Sequence, residues 1–218
     1  MARLIEGLEL ERVRANVERI GDEVAGAAGG RAVQLLAAVK YVRGEELPTL
    51  AEAGIGLLGE NRAQELRAKH DLHGELFEWD FIGRLQSRRV REVVPYVRLI
   101  HSVDSESALR ALERALPQAR PGLRILIEVN VAREEGKAGV APERLAEFIE
   151  RAPVPVAGLM TMPPYTEEAE DSRRWFAALR DLAEAHGLEH LSMGTSQDYL
   201  VAVQEGATIV RIGTSLYD

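Results

Sequence analysis

Val33-Gln34-Leu35-Leu36-Ala37-Ala38-Val39-Lys40 is an apolar run that ends on a lysine. Its length and its Val/Leu content are those of a strand buried on both faces, as in a parallel sheet. An unpaired ammonium at the end of such a strand is expensive, so the charge needs a partner or a use. Composition sharpens the point. Of the 27 Lys+Arg residues, only Lys40, Lys69 and Lys137 are lysines; all the others are arginines. A primary amine does chemistry that a guanidinium does not, which makes Lys40 the first candidate for a functional side chain. The bland alternative is an ordinary ion pair with Glu60 or Glu128.

Outward from this run, strand and helix alternate along the whole chain. From Leu4 to Val24, apolar residues recur at helical spacing, and glycines between 26 and 30 end the pattern. Further strands are expected at Gly54–Gly59, Phe77–Ile82, Val97–Ile100, Leu123–Val131, Val154–Met160, His190–Met193 and Thr208–Ile212. Helical patterns separate them, among them Asn61–His70, Gln86–Val94, Ser105–Ala119, Pro142–Arg151, Glu167–His186 and Ser196–Glu205. Such alternation predicts a parallel sheet with crossover helices. Eight strands in 218 residues predict an α/β fold of the closed (β/α)8 TIM type over an open doubly wound sheet. Sequence after the eighth strand is short, so the last helix position is expected to be filled by the N-terminal helix. No linker divides the chain, and a single domain over 1–218 is expected.

The bulk numbers exclude several functions. A net charge of −8 argues against general affinity for nucleic acid or an anionic membrane. The absence of cysteine removes disulfides, thiolate nucleophiles and Cys-ligated zinc. His70, His73, His101, His186 and His190 show no metal-ligand spacing. With no signal-peptide pattern and no apolar run of spanning length, a cytoplasmic location is expected.

In barrels of this type, active sites lie at the C-terminal ends of the strands, and phosphate often sits after strands 7 and 8. Strand 1 is the neighbour of strand 8 once the barrel closes. Lys40 is therefore expected beside Arg211, Gly213 and Thr214, with Ser196 at a helix start that suits an anion. An amine beside a phosphate cradle points to a Schiff base with a phosphorylated aldehyde, either pyridoxal phosphate or a phosphosugar.

Segments in order along the chain resemble the pyridoxal phosphate homeostasis proteins, whose fold is like the N-terminal domain of alanine racemase. They are Leu36-Ala37-Ala38-Val39-Lys40, Gly59-Glu60-Asn61, Phe81-Ile82-Gly83, His101-Ser102-Val103-Asp104, Val129-Asn130-Val131, Gly158-Leu159-Met160, Leu191-Ser192-Met193-Gly194 and Val210-Arg211-Ile212-Gly213-Thr214. The resemblance implies that pyridoxal 5'-phosphate (vitamin B6) forms an internal aldimine on Lys40. It implies that Arg211 faces the pyridine nitrogen, that Ser196, Gly213 and Thr214 hold the phosphate, and that Asn61 and Asn130 are polar neighbours. The expected role is reversible carriage of the cofactor in its homeostasis, without turnover, with apo-enzymes that use the cofactor as recipients and the protein as a monomer. A stand-alone amino acid racemase is the alternative. Racemases of this fold use a second domain carrying a tyrosine base, and a chain ending at Asp218 is expected to lack it.

The chain also departs from the family pattern. Asp80 stands where a histidine is usual, Arg62 where an aromatic is usual, and Arg88-Arg89 replaces an Asn-Lys pair, while Thr195 and Gln197 differ in the phosphate turn. Glu128 and Asn130 share one face of their strand. Lys137 is expected either in a loop ion pair or near the site. Arg84, Arg88, Arg89 and Arg91 read as a solvated basic face.

Overall fold

The computed structural model describes residues 4–218. Of the 1–218 unit expected above, residues 1–3 lie outside the described residues. Strands β1 (Gln34–Ala38), β2 (Leu57–Glu60), β3 (Glu78–Phe81), β4 (Leu99–Val103), β5 (Arg124–Glu128), β6 (Val156–Met160), β7 (His190–Thr195) and β8 (Ile209–Ile212) pair in parallel in sequence order. β8 then pairs with β1, Leu36 opposite Arg211 and Ala37 opposite Ile212, and closes the barrel. Around it run α1 (Leu10–Ala28), α2 (Leu47–Glu52), α3 (Ala63–His73), α4 (Val90–Val93), α5 (Glu106–Ala115), α6 (Leu145–Glu150), α7 (Arg173–Ala185), α8 (Tyr199–Gln204) and α9 (Thr214–Tyr217). The α/β barrel expected from the alternation is the observed architecture.

Period-2 alternation along each strand sorts the core into two parts. Leu36, Leu99, Leu126, Met160 and Ile209, from five strands, form an aliphatic plug inside the barrel. Residues one step away, such as Ala37, Leu58, Ile100 and Val210, join Ile20 of α1 and Phe176 of α7 in the larger cluster between sheet and helices. Each fully buried aliphatic side chain contributes about 1.5–3 kcal/mol of transfer free energy.

Boundaries differ from the sequence reading where tertiary contacts override periodicity. The first helix starts at Leu10, not Leu4. Ile5 instead bridges to Val42, its N–H donating to the Tyr41 carbonyl at 2.7 Å, and the Glu46 carboxylate accepts from the N–H groups of Gly7 and Leu8. At the other end α1 runs on through Ala28 and stops at Gly29, whose φ of 59° is the left-handed helix cap that glycine adopts freely. β4 extends to Val103 where the apolar run predicted an end at Ile100, β5 stops at Glu128, and β7 extends to Thr195. β1 ends two residues before Lys40.

α1 fills the vacant place in the helix ring, as expected. Its Asn16 amide donates to the carbonyls of Leu216 and Asp218, and its Glu23 accepts from the Tyr199 hydroxyl of α8. The eighth position, expected to be filled by the N-terminal helix alone, also holds the single turn of α9.

A buried ion pair supports the segment after β1. Lys69 on α3 reaches Glu60 at the end of β2 at 2.7 Å, and its ammonium also donates to the Val39 carbonyl at 2.6 Å. Glu60 is fully buried and accepts in addition from the N–H groups of Asn61 and Arg62. Removing one member of a buried pair strands the other, at a cost of about 3–5 kcal/mol. Lys69→Met is therefore expected to lower the unfolding free energy by about that amount, read from denaturant midpoints, with Glu60→Gln added to Lys69→Met restoring a large part of it.

Candidate functional site

The backbone around Lys40 is held from three sides. Val39 N–H donates to the Gly59 carbonyl at 3.0 Å, Lys69 binds the Val39 carbonyl, and the Arg62 guanidinium donates to the Lys40 carbonyl at 3.1 Å. Arg62 is one of the departures from the family pattern, and this contact gives it a local use. Because Lys69 occupies Glu60, the amine of Lys40 has no carboxylate partner among the described residues; it lies 5.0 Å from the centre of the Tyr41 ring. The simple ion-pair explanation of the strand-end lysine does not hold.

Lys40 opens into a cavity of about 440 Å³ at the C-terminal end of the barrel. Asn61, Ser196, Arg211, Gly213 and Thr214 line the same cavity, so six of the seven sequence-selected residues converge there. No carboxylate is among the lining residues, and Ala38, Ile82, Met162 and Tyr41 supply apolar walls. A cavity of this size with two cationic side chains and several hydroxyl donors suits a small anionic ligand.

Asn130 is not part of that lining. Its amide donates to the Glu134 carbonyl at 2.8 Å and its oxygen accepts from Glu134 N–H at 3.1 Å, so it shapes the loop after β5. Lys137 pairs with Glu134 on that loop. Glu128 is buried above the barrel interior, where burial and then the nearby Asp104 raise its pKa above the usual carboxylate range.

The turn after β7 is built differently from the expectation. α8 begins at Tyr199 rather than at Ser196, so Ser196 does not cap it. Asp198 accepts from both the N–H (2.8 Å) and the hydroxyl (3.1 Å) of Thr195 and fixes the turn. Ser196 Oγ accepts from Gly213 N–H at 3.1 Å, tying the loops after β7 and β8 together. Its own O–H therefore remains a donor for an anion. Gly194, at φ 88°, lets the strand enter this turn, and a Cβ there would stand 2.6 Å from that of Ala202. At Gly83 a Cβ would fall 2.1 Å from the Asn61 carbonyl, so the loops after β2 and β3 touch backbone to backbone.

Arg211 is almost fully buried. It donates to the Ser192 carbonyl (2.8 Å) and hydroxyl (2.6 Å) and to the Thr161 carbonyl (3.0 Å). Burial pushes its pKa down to about 10, opposed by Glu128 and Asp198, which leaves it cationic at neutral pH. Below it lie residues that the sequence reading did not select as a site. His101 on β4 contacts Ser192 and Asp80, and Asp80 pairs with Arg98. The polar Ser192 within apolar Leu191–Met193 was the available signal. Tyr41, Met162 and Tyr217 also line the cavity and carried none. Among the described residues, no three His, Asp or Glu side chains are gathered as a metal site, and no helix is long and apolar enough to cross a membrane.

Burial holds the His101 imidazole below its ordinary pKa. The unfolded chain then takes up that proton first as pH falls through about 6.5, so stability is full above that value and declines below it. Denaturant unfolding of the wild type at stepwise pH is expected to show this acid-side decline, with a shallower slope in His101→Gln.

The chain is similar to known proteins in sequence and in fold. The sequence profile of the family described as "Alanine racemase, N-terminal domain" matches residues 8–218. The chain is 42% identical to the pyridoxal phosphate homeostasis protein of Aquifex aeolicus over 95% of this chain and 93% of that one. It is 35% identical to the protein of that name from Vibrio cholerae, over 95% and 96% of the two chains. Among solved structures, PipY of Synechococcus elongatus with PLP bound superposes with a TM-score of 0.80 at 28% identity, covering 94% of this chain and all of that one.

Proposed function

The chain belongs to the alanine racemase N-terminal domain family and, within it, to the pyridoxal phosphate homeostasis proteins, and on that premise we propose that it binds pyridoxal 5'-phosphate reversibly and serves as a cofactor carrier. The observation that carries this reading is the carboxylate-free cavity in which an unpaired amine, a buried guanidinium and the Ser196 and Thr214 hydroxyls face one space. That donor set fits the cofactor: hydroxyls and loop backbone for a phosphate ester, apolar walls for a ring, an amine for an aldehyde.

When bound, the cofactor supplies an aldehyde that condenses with a primary amine and releases one water. Lys40 would provide that amine and so mask the aldehyde, and Ser196, Gly213 and Thr214 would hold the phosphate. Arg211 has only donors to offer, so set against a ring nitrogen it would disfavour protonation there and weaken the ring as an electron sink. That favours carrying over turnover at an amino acid Cα. Apo-enzymes that require the cofactor are the recipients in this reading.

Addition of pyridoxal phosphate to purified protein is expected to give a yellow species, and borohydride followed by mass spectrometry to place a pyridoxyl adduct on Lys40. Lys40→Ala should lose both. Ser196→Ala, which removes one hydrogen bond to a charged group, should weaken binding about tenfold by equilibrium dialysis. Steady racemisation of an L-amino acid, followed by chiral chromatography, would assign the protein to the racemase class instead.

A further inference from the structure

Four buried side chains form a continuous chain beneath the cavity. Asp80, His101 and Ser192 are each no more than 1% exposed and Arg211 is 6% exposed. The contacts are Arg211 Nη1 to Ser192 Oγ at 2.6 Å, Ser192 Oγ to His101 Nδ1 at 2.8 Å, and His101 Nε2 to Asp80 Oδ2 at 3.1 Å. At the far end Arg98 Nε lies 3.0 Å from Asp80 Oδ1, and an Nη of Arg98 also donates to Gln34. The chain thus runs through the barrel interior, from the strand starts at Arg98 to the cavity at Arg211.

Donor and acceptor chemistry gives this chain one direction. A guanidinium can only donate, so Ser192 Oγ accepts from Arg211 and spends its single proton on His101 Nδ1. His101 Nδ1 is then the acceptor, and Nε2 carries the proton that it donates to the Asp80 carboxylate. The reverse tautomer, or a doubly protonated ring, would leave the Ser192 proton without a partner in a buried place, at a cost of order 1–3 kcal/mol. Titratable and charged neighbours are few: Asp80, Arg98 and Arg211 act on the ring of His101, His190 lies further along β7, and Glu128 and Asp198 act on Arg211.

We propose that Asp80, His101 and Ser192 are positioning residues for Arg211, a directed relay that fixes its guanidinium plane, so that they tune the electronics of a ligand ring bound in the cavity without touching it. The ligand part rests on the proposed cofactor-binding function; the tautomer part does not. Asp80 is the anionic terminus of this relay, and Arg98 pairs with it from below.

The two parts are tested separately. In the ligand-free wild type, long-range ¹⁵N–¹H spectra are expected to show His101 as the Nε2–H tautomer with no titration between about pH 5.5 and 8, the range in which free histidine changes charge. An Nδ1–H tautomer or an imidazolium in that range overturns the relay, whatever the protein binds. For the loaded protein, Ser192→Ala and His101→Gln are compared with Ser107→Ala, a surface control. The relay predicts that both interior variants move the pH midpoint of the visible absorption band by about one unit, equivalent to ~1.4 kcal/mol on the bound species, while the control leaves it in place. A midpoint unchanged in the interior variants, with binding weakened or not, reduces the chain to packing and overturns the tuning role. A wild type that forms no visible band with pyridoxal phosphate fails the proposed function and leaves the tautomer result standing.

Discussion

Barrel closure is the constraint from which the site follows. The β1–β8 register sets Leu36 beside Arg211 and Ala37 beside Ile212, so the residues just beyond these pairs, Lys40 on one side and Gly213 and Thr214 on the other, emerge at the same rim. A slip of one residue would turn every side chain on β1 to the opposite face and send Leu36 out of the interior plug. Apolar packing inside and outside the wall therefore decides where the amine appears, although Leu36, Ala37 and Ile212 do not themselves line the cavity.

Charge inside the barrel is arranged by depth. Aliphatic residues fill one level, and the polar residues Asp80, His101, Ser192 and Arg211 occupy positions where each finds a partner. Buried polar groups are tolerated only when satisfied, and a satisfied network specifies one arrangement sharply. Glu60 and Lys69 follow the same rule outside the barrel wall, where the pair also anchors the carbonyl before Lys40. Three departures from the family pattern, Asp80, Arg62 and Arg89, make local contacts here with Arg98, the Lys40 carbonyl and Glu92 respectively.

The strands and the order of the barrel were legible because parallel strands buried on both faces are short apolar runs bounded by polar helices, as at Leu123–Val131. Their ends were not, since most of the last residues of β4 and β7 (His101, Ser102, Gly194 and Thr195) are polar or small and owe their extended state to ladder partners. Leu4 and Leu8 fit a helical period, yet the segment they belong to is held by the Ile5 bridge to Val42 and the Glu46 clasp on Gly7 and Leu8, contacts nearly forty residues away in sequence. At the site, Lys40 and the Gly213-Thr214 turn could be read from type and position alone. His101 and Asp80 were quoted only as motif letters or departures, because their meaning depends on a through-space chain across β3, β4 and β7. The family resemblance implies that Asn130 neighbours the ligand, and a local loop contact with Glu134 claims it instead.

The clasp between α1 and the last residues bears on the cavity. Thr214 and Tyr217 line the cavity from α9, and α9 is held down by the Asn16 amide at the carbonyls of Leu216 and Asp218. The Thr214–Tyr217 side of the cavity is therefore tied to the first helix by a seam between residues some 200 apart along the chain, and a change at Asn16 reaches that side of the cavity without touching it.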